Sequence, residues 1–209
     1  LLVPVGALYG AQTQRAIENF QISGLPMPAE FIQAMAMIKA AASEANGVLG
    51  HLSKSKSKAI SRAANAVASG EFLDQFPVDV FQTGSGTSTN MNLNEVIASL
   101  VQRQSKLSVH PNNEVNLGQS SNDVVPSSSL LACSLLLHRN LKPALKQLRH
   151  SVAKKAREGR KVIKTGRTHL MDAMPISVEQ ELLAWLAQLE SATARLHDSG
   201  KRLQALPLG

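Results

Sequence analysis

Apolar residues recur at helical spacing along most of this chain. From Ala29 to about Leu49, the residues Phe31, Met35, Ile38, Ala42 and Ala45 fall three or four apart. That spacing predicts a helix with one buried stripe, ended at Gly50. SKSKSKAISRAANAVAS predicts a second helix, stopped by Gly70. TQRAIENF (13–20) reads as a short helix with Thr13 as its N-cap, and EFLDQFPVDV (71–80) as a short helix or turn broken by Pro77. Leucines from Leu130 to Leu148 predict a long helix, capped by Asn122 or Asp123, with Pro126 in its first turn and a kink at Pro143. Ser177 and Gln180 form a capping box for a last helix. That helix carries Leu182, Leu189, Leu196 and Leu203 seven apart, the repeat of near-parallel helices in a bundle.

Composition supports the helical reading. Hydrophobic residues make up 44% of 209 residues but aromatics only 3%, so the core must be built from Ala, Leu, Val, Ile and Met. The expected class is all-α: a mixed helical N-terminal domain over 1–121, then the first long helices of a bundle over 122–209. The net charge of +7 is dispersed apart from KSKSK (54–58) and KKAREGRK (154–161). With so few aromatics to stack on bases, nucleic acid is not expected as a partner. Part of the charge can instead attract a small anionic substrate. Cys133, the single cysteine, makes no intrachain disulfide and is expected as a small buried hydrophobe. That suits a reducing compartment, and a cytoplasmic location is expected. No run of eighteen apolar residues and no signal-peptide pattern is seen, so no membrane association is expected.

Three polar islands interrupt the helices. The first is TGSGTSTN (83–90). Gly84 and Gly86 permit turns that bring N–H groups toward a ligand, and the hydroxyls and Asn90 add neutral donors. Such an array can hold a carboxylate, although a Ser/Gly/Thr loop is usually only a loop. The second joins HPNN (110–113) to GQSSND (118–123). His110 precedes Pro111, which holds its backbone extended. Ser120, Ser121 and Asn122 sit where a helix begins, and helix N-termini attract anions. Capping explains one such residue but not the run. The third is GRTHLMDAMP (166–175), just before the capped helix. By itself a lone histidine such as His169 is more often structural or solvated than catalytic. No metal-ligand spacing, nucleophile elbow or phosphate-binding glycine pattern occurs. The islands therefore suggest metal-free binding of a small polar anion, with histidine for proton transfer.

Taken together, LYGAQTQRAIENFQISG, TGSGTSTNMNLNEVIA, VHPNNEVNLGQSSND and KTGRTHLMDAMPISVEQEL resemble the class II fumarase and aspartase superfamily, most closely its class II fumarases. The similarity covers nearly the whole chain in the family's order. It implies C4-dicarboxylate substrates, no cofactor or metal, and a homotetramer whose sites each draw on three subunits around a helical bundle. By position, it implies substrate binding by Ser85, Gly86 and Thr87 in the first region and by Ser120, Ser121 and Asn122 in the second. Thr168 matches a substrate contact and His169 the histidine of the proton-transfer apparatus. His110, Pro111, Asn112 and Asn113 match a peripheral dicarboxylate site.

Some positions depart from the family pattern. Asn113 stands where the fumarases usually have Asp, and VNLGQSSND replaces the commoner VNKSQSSND. The family's third region, of the type GSSxMPxKxNP, which brings a catalytic serine, is absent from these residues. The expectation is a parent protein that hydrates fumarate to L-malate by reversible β-elimination, and a 209-residue chain inactive alone. An aspartate ammonia-lyase or related C4-dicarboxylate lyase stays open. So does a non-catalytic module that self-associates through the Leu182–Leu203 stripe.

Overall fold

The computed structural model describes residues 1–208. It contains α1 (Ala11–Asn19), α2 (Ala29–Val48), α3 (Lys54–Ala68), α4 (Thr87–Ser105), α5 (Ser121–Leu136), α6 (Lys142–Glu158), a hairpin of β1 (Ile163–Thr168) and β2 (Met171–Ser177), and α7 (Val178–Arg202). The fold is helical, as expected, with the hairpin as its one departure. Two compact units divide the chain: Leu1–Ala132 with the terminal residues from Ala205, and Cys133–Gln204. The division falls inside α5, after Ala132, and not at the boundary expected after residue 121.

In the first unit, α2 packs on α3, and α4 packs on α1, α3 and the turn at 111–115. Leu93, Val96 and Ile97 of α4 are fully buried, and Ile32 and Met35 of α2 and Ile60 and Val67 of α3 are as deeply enclosed. Each such side chain gains about 1.5–3 kcal/mol by leaving water. The core of α2 is wider than the predicted single stripe. Ile32, Ala34, Ala36 and Lys39 are buried too, whereas Ala45 is exposed. Gly50 ends α2 as expected: it takes φ 79°, and the His51 N–H reaches back to the Asn46 carbonyl.

Thr13 is not the cap of α1. The helix begins at Ala11, and Thr13 lies inside it, fully buried. Its N–H and hydroxyl both donate to Glu95 Oε2, at 3.1 and 2.6 Å. Gly10 and Gln12 also donate to that carboxylate from the backbone. Glu95, far along the chain on α4, thus satisfies the open N–H groups that a cap would have served. Asp79 does the same for the 23–24 turn. Its carboxylate accepts from the Phe81, Ser23 and Gly24 N–H groups and the Ser23 hydroxyl.

Ser120, rather than Asn122 or Asp123, heads α5: its carbonyl accepts from Val124 and its hydroxyl from the Asn122 N–H. Pro126 sits six residues into the helix instead of in its first turn. The predicted disturbance at Pro143 is a wide turn over Leu137–Leu141, immediately upstream. There a proline one step into α6 has no N–H for the preceding ladder.

In the second unit α6 packs on α7. The capping box of α7 is present in both directions, Gln180 N–H to Ser177 Oγ at 3.0 Å and Ser177 N–H to Gln180 Oε1 at 2.8 Å. Leu182, Leu189, Leu196 and Leu203 are half-buried. Cys133 is exposed rather than buried, because its turn of α5 presents that face outward. Among the described residues no helix is long and apolar enough to cross a membrane.

Asp79 carries a testable consequence. The Phe81 N–H foremost, then those of Ser23 and Gly24 with the Ser23 hydroxyl, outweigh burial and hold its carboxyl down at about 2. A carboxylate depressed on folding contributes stability that is complete above its ordinary pKa of about 4 and lost as pH falls toward the folded value. Urea denaturation of Asp79→Asn is expected to show a lower midpoint than the parent at pH 7, with the gap closing between about pH 4 and 2.

Candidate dicarboxylate-binding site

The first island is a turn running into the head of α4. Gly84 and Gly86 take φ 82° and 72°, which side-chain-bearing residues rarely adopt. Gly86 has a second constraint: a Cβ there would stand 2.7 Å from Val125 Cγ1 of α5. The missing side chain therefore lets the first island sit directly against the helix that begins at the second. Ser85 lies at the centre of a hydroxyl row, 3.1 Å from Thr83 Oγ1 and 2.9 Å from Thr87 Oγ1. All three are exposed. Behind them Gln82 grips Thr89 through both ends of its carboxamide, which pins the row's base.

The second island supplies Ser120, Ser121 and Asn122 at the N-terminus of α5, where the helix dipole favours an anion. A buried carboxamide joins the two islands. Asn90 Nδ2 donates to Ser121 Oγ at 2.9 Å and to Asn116 Oδ1 at 3.2 Å. Asn116 in turn donates to the Gln119 carbonyl, closing the loop just before Ser120.

Lys39 of α2 completes this group, and sequence reasoning missed it. Its side chain is fully buried, and Nζ donates to Asn116 Oδ1 at 2.7 Å. Burial alone pushes its pKa down to about 7. The signal was present in MAMIKAAAS, where a lysine falls four residues after Met35 and beside Ile38, on the apolar face. Asn116 had no such signal, since VNLG reads as an ordinary turn.

The segment 110–113 is built otherwise. His110 has extended backbone (φ −89°, ψ 129°) as Pro111 requires. Its Nδ1 accepts from the Asn112 and Asn113 N–H groups, each at 3.2 Å. Its own N–H donates to Glu114 Oε2, while Lys56 of α3 pairs with Glu114 Oε1 at 2.6 Å. Burial pushes the Glu114 carboxyl up, but Lys56 and the His110 N–H outweigh it and hold it below its ordinary value. The Asn112 and Asn113 side chains are exposed.

Thr168 and His169 belong to the second unit. The segment before the capped helix is an antiparallel hairpin that pairs Thr168 with Met171 and Arg167 with Asp172. His169 and Leu170 form its two-residue tip with φ 50° and 63°. Type I′ tips demand that conformation at both positions, and neither residue is the glycine or asparagine that favours it. Each costs about 1 kcal/mol in that geometry. His169, Leu170, Met171 and Met174 are all exposed. Among the described residues, no three His, Cys, Asp or Glu side chains gather to hold a metal ion.

Comparison with known proteins gives this geometry a family. A lyase family model matches residues 2–209. The chain belongs to this lyase family. A class II fumarate hydratase of Xylella fastidiosa is 58% identical over all of this chain and 44% of its own length. Another, from Pseudomonas aeruginosa, is 46% identical over all of this chain and 46% of its own length. Among solved structures, the class II fumarase of Schistosoma mansoni superposes with a TM-score of 0.93 at 39% identity, over 99% of this chain and 45% of that one. A fumarate lyase of Brucella melitensis superposes equally well at 40% identity, over 99% of this chain and 48% of that one. The chain thus spans less than half the length of these members of the lyase family.

Two measurements probe the site's construction. Gly86→Ala is expected to lower stability by about 1–3 kcal/mol in thermal denaturation, since it meets both the positive φ and Val125. For Lys39 the pH dependence runs in the same direction as for Asp79, in a higher window, although here it is the charged form that burial disfavours. Its folded pKa lies below its unfolded one, so the unfolded chain holds the extra proton between about pH 7 and 10.5. Stability of the parent relative to Lys39→Met is expected to rise across that window. A flat difference would contradict it.

Proposed function

We propose that these residues form the carboxylate-holding part of a class II fumarate hydratase, a metal-free enzyme that interconverts fumarate and L-malate. The observation that carries this reading is the joining of the first two islands through Asn90. Ser121 Oγ accepts from that amide, which leaves its hydroxyl proton to donate outward. The Ser85 row, the Ser121 hydroxyl and the positive end of the α5 dipole make a neutral donor array for one carboxylate of a C4 dianion.

In the hydration direction water adds across the double bond of fumarate. In reverse, a base takes the proton from the carbon beside one carboxylate and gives an aci-carboxylate. Loss of hydroxide, protonated as it leaves, then regenerates fumarate. Concentrating charge on the aci-carboxylate is the costly step, and fixed donors lower it most. Ser85, Gly86 and Thr87 with Ser120, Ser121 and Asn122 take that task. Thr168 contacts the substrate, and His169 moves the proton through a bound water. An exposed, strained tip suits a residue that acts in a composite site, because strain of this kind persists where function requires it. The segment His110–Asn113 is the peripheral dicarboxylate site.

The full protein is a cytoplasmic homotetramer. An open apolar groove of about 600 Å3 in the second unit, lined by Leu136, Leu141, Leu196 and Leu203, supports burial against further helices. The 209-residue chain by itself turns over no fumarate, since the family's third region lies outside it.

The test uses a protein carrying this chain together with the rest of its relatives' length. Fumarate consumption, followed by its ultraviolet absorbance, should be robust with water and absent with ammonia. Ser121→Ala should lower kcat/KM roughly 10²–10³-fold and His169→Asn roughly 10²–10⁴-fold. Ammonia addition without hydration would assign the chain to an aspartase-type lyase instead.

A further inference from the structure

A buried lysine without a carboxylate partner is costly unless it holds something in place. Lys39 makes a single hydrogen bond, to Asn116 Oδ1. Among the described residues no charged group pairs with it: half-buried Glu30 of α2 and Asp123 of α5 make no ion pair with Lys39, and the others nearby are engaged elsewhere or exposed. Glu44, on its own helix, accepts from Ser61, and Glu95 of α4 is occupied by α1. Lys56 of α3 pairs with Glu114 of the 111–115 turn. Lys54, Lys58 and Arg62 of α3, Arg103 of α4 and His110 are exposed.

The direction of the hydrogen bonds is set by two one-way groups on Asn116, the Lys39 amine and the Gln119 carbonyl. An amine beside Asn116 makes that side chain present its oxygen. Its nitrogen then turns to the Gln119 carbonyl, 3.0 Å away. Facing the Asn116 oxygen, Asn90 must present its NH2, which also reaches Ser121 Oγ. Ser121 is left as an acceptor inward and a donor outward.

We propose that Lys39 is a positioning residue that sets the polarity of the Asn116–Asn90–Ser121 chain and so turns the Ser121 hydroxyl into a donor for a substrate carboxylate. The donor's use on fumarate rests on the reading above; the polarity does not. Removing Lys39 takes away one of the two groups that orient the Asn116 carboxamide, which lowers the cost of the flip that would force Ser121 to donate inward. Because burial brings the Lys39 pKa to about 7, the anchor changes charge within the neutral range. Its neighbours should register that change.

The experiment uses this chain with Lys39→Met and Lys39→Gln, the latter keeping an N–H donor without the charge. Side-chain amide NMR signals of Asn90 and Asn116 are followed with pH in the absence of ligand. In the parent both should shift together with a midpoint near 7, and in both variants that shift should vanish. In the longer protein that carries this chain with the rest of its relatives' length, calorimetric fumarate affinity should fall about tenfold in Lys39→Met and stay within about threefold in Lys39→Gln. Amide signals that ignore the Lys39 titration, or equal affinity loss in both variants, would overturn the proposal. Fumarate failing to bind the parent would reject the functional reading alone, since the ligand-free titration still decides the role of Lys39. Circular dichroism confirms folding, and if Lys39→Met does not fold, loss of the titration in Lys39→Gln decides.

Discussion

The Asn116 carboxamide is the junction on which the first unit's polar architecture turns. It accepts from Lys39 of α2 and Asn90 of α4 and donates to the loop that leads into α5. Three stretches far apart in sequence therefore meet at one side chain. Two of its partners, Lys39 and Asn90, are fully buried, and a buried polar group without its partner costs about 1–3 kcal/mol. The network is consequently specific: each member limits how its neighbour can be oriented. The two polar islands are held together behind their exposed hydroxyls by the Asn90 carboxamide, which donates to both Asn116 and Ser121.

A second device recurs in the same unit. Local turns are closed by carboxylates delivered from distant segments. Glu95 serves the head of α1, and Asp79 serves the turn at 23–24. In each case an anion meets several backbone N–H groups that have no helical or strand partner. Charge-assisted bonds of this kind are stronger than neutral ones. They let short, glycine-punctuated segments hold still without a large apolar core of their own. The hydroxyl row of the first island benefits indirectly, since it grows from α4, the helix that carries Glu95.

Much of this was legible in the residues. The 3.6-residue periodicity located α2, α3 and the helices after residue 120, and the Ser177–Gln180 box marked the start of α7. These features are local: spacing and capping chemistry act over one or two turns. The three islands were visible for a similar reason, as runs of small hydroxyl and amide residues that helices disfavour. What failed was every inference about a partner far along the chain. Thr13 looked like a cap because nothing nearby announced Glu95. Cys133 looked buried because its neighbours are apolar, yet that face of α5 is open. GRTHLMDAMP looked like a loop because a hairpin tip without glycine or asparagine runs against local preference.

The sequence by itself determined the helices, their ends and the chemical character of the islands, because each depends on contacts among near neighbours. It also carried the family resemblance, since motif order is a property of the chain alone. Tertiary structure decided the rest. It placed Ser121 against Asn90, set Gly86 against Val125, and enclosed Lys39 without a counter-charge. The physical reason is desolvation. A lysine four residues from a methionine is an ordinary surface residue until other helices cover it. Only then do its missing water and its single acceptor give it a role.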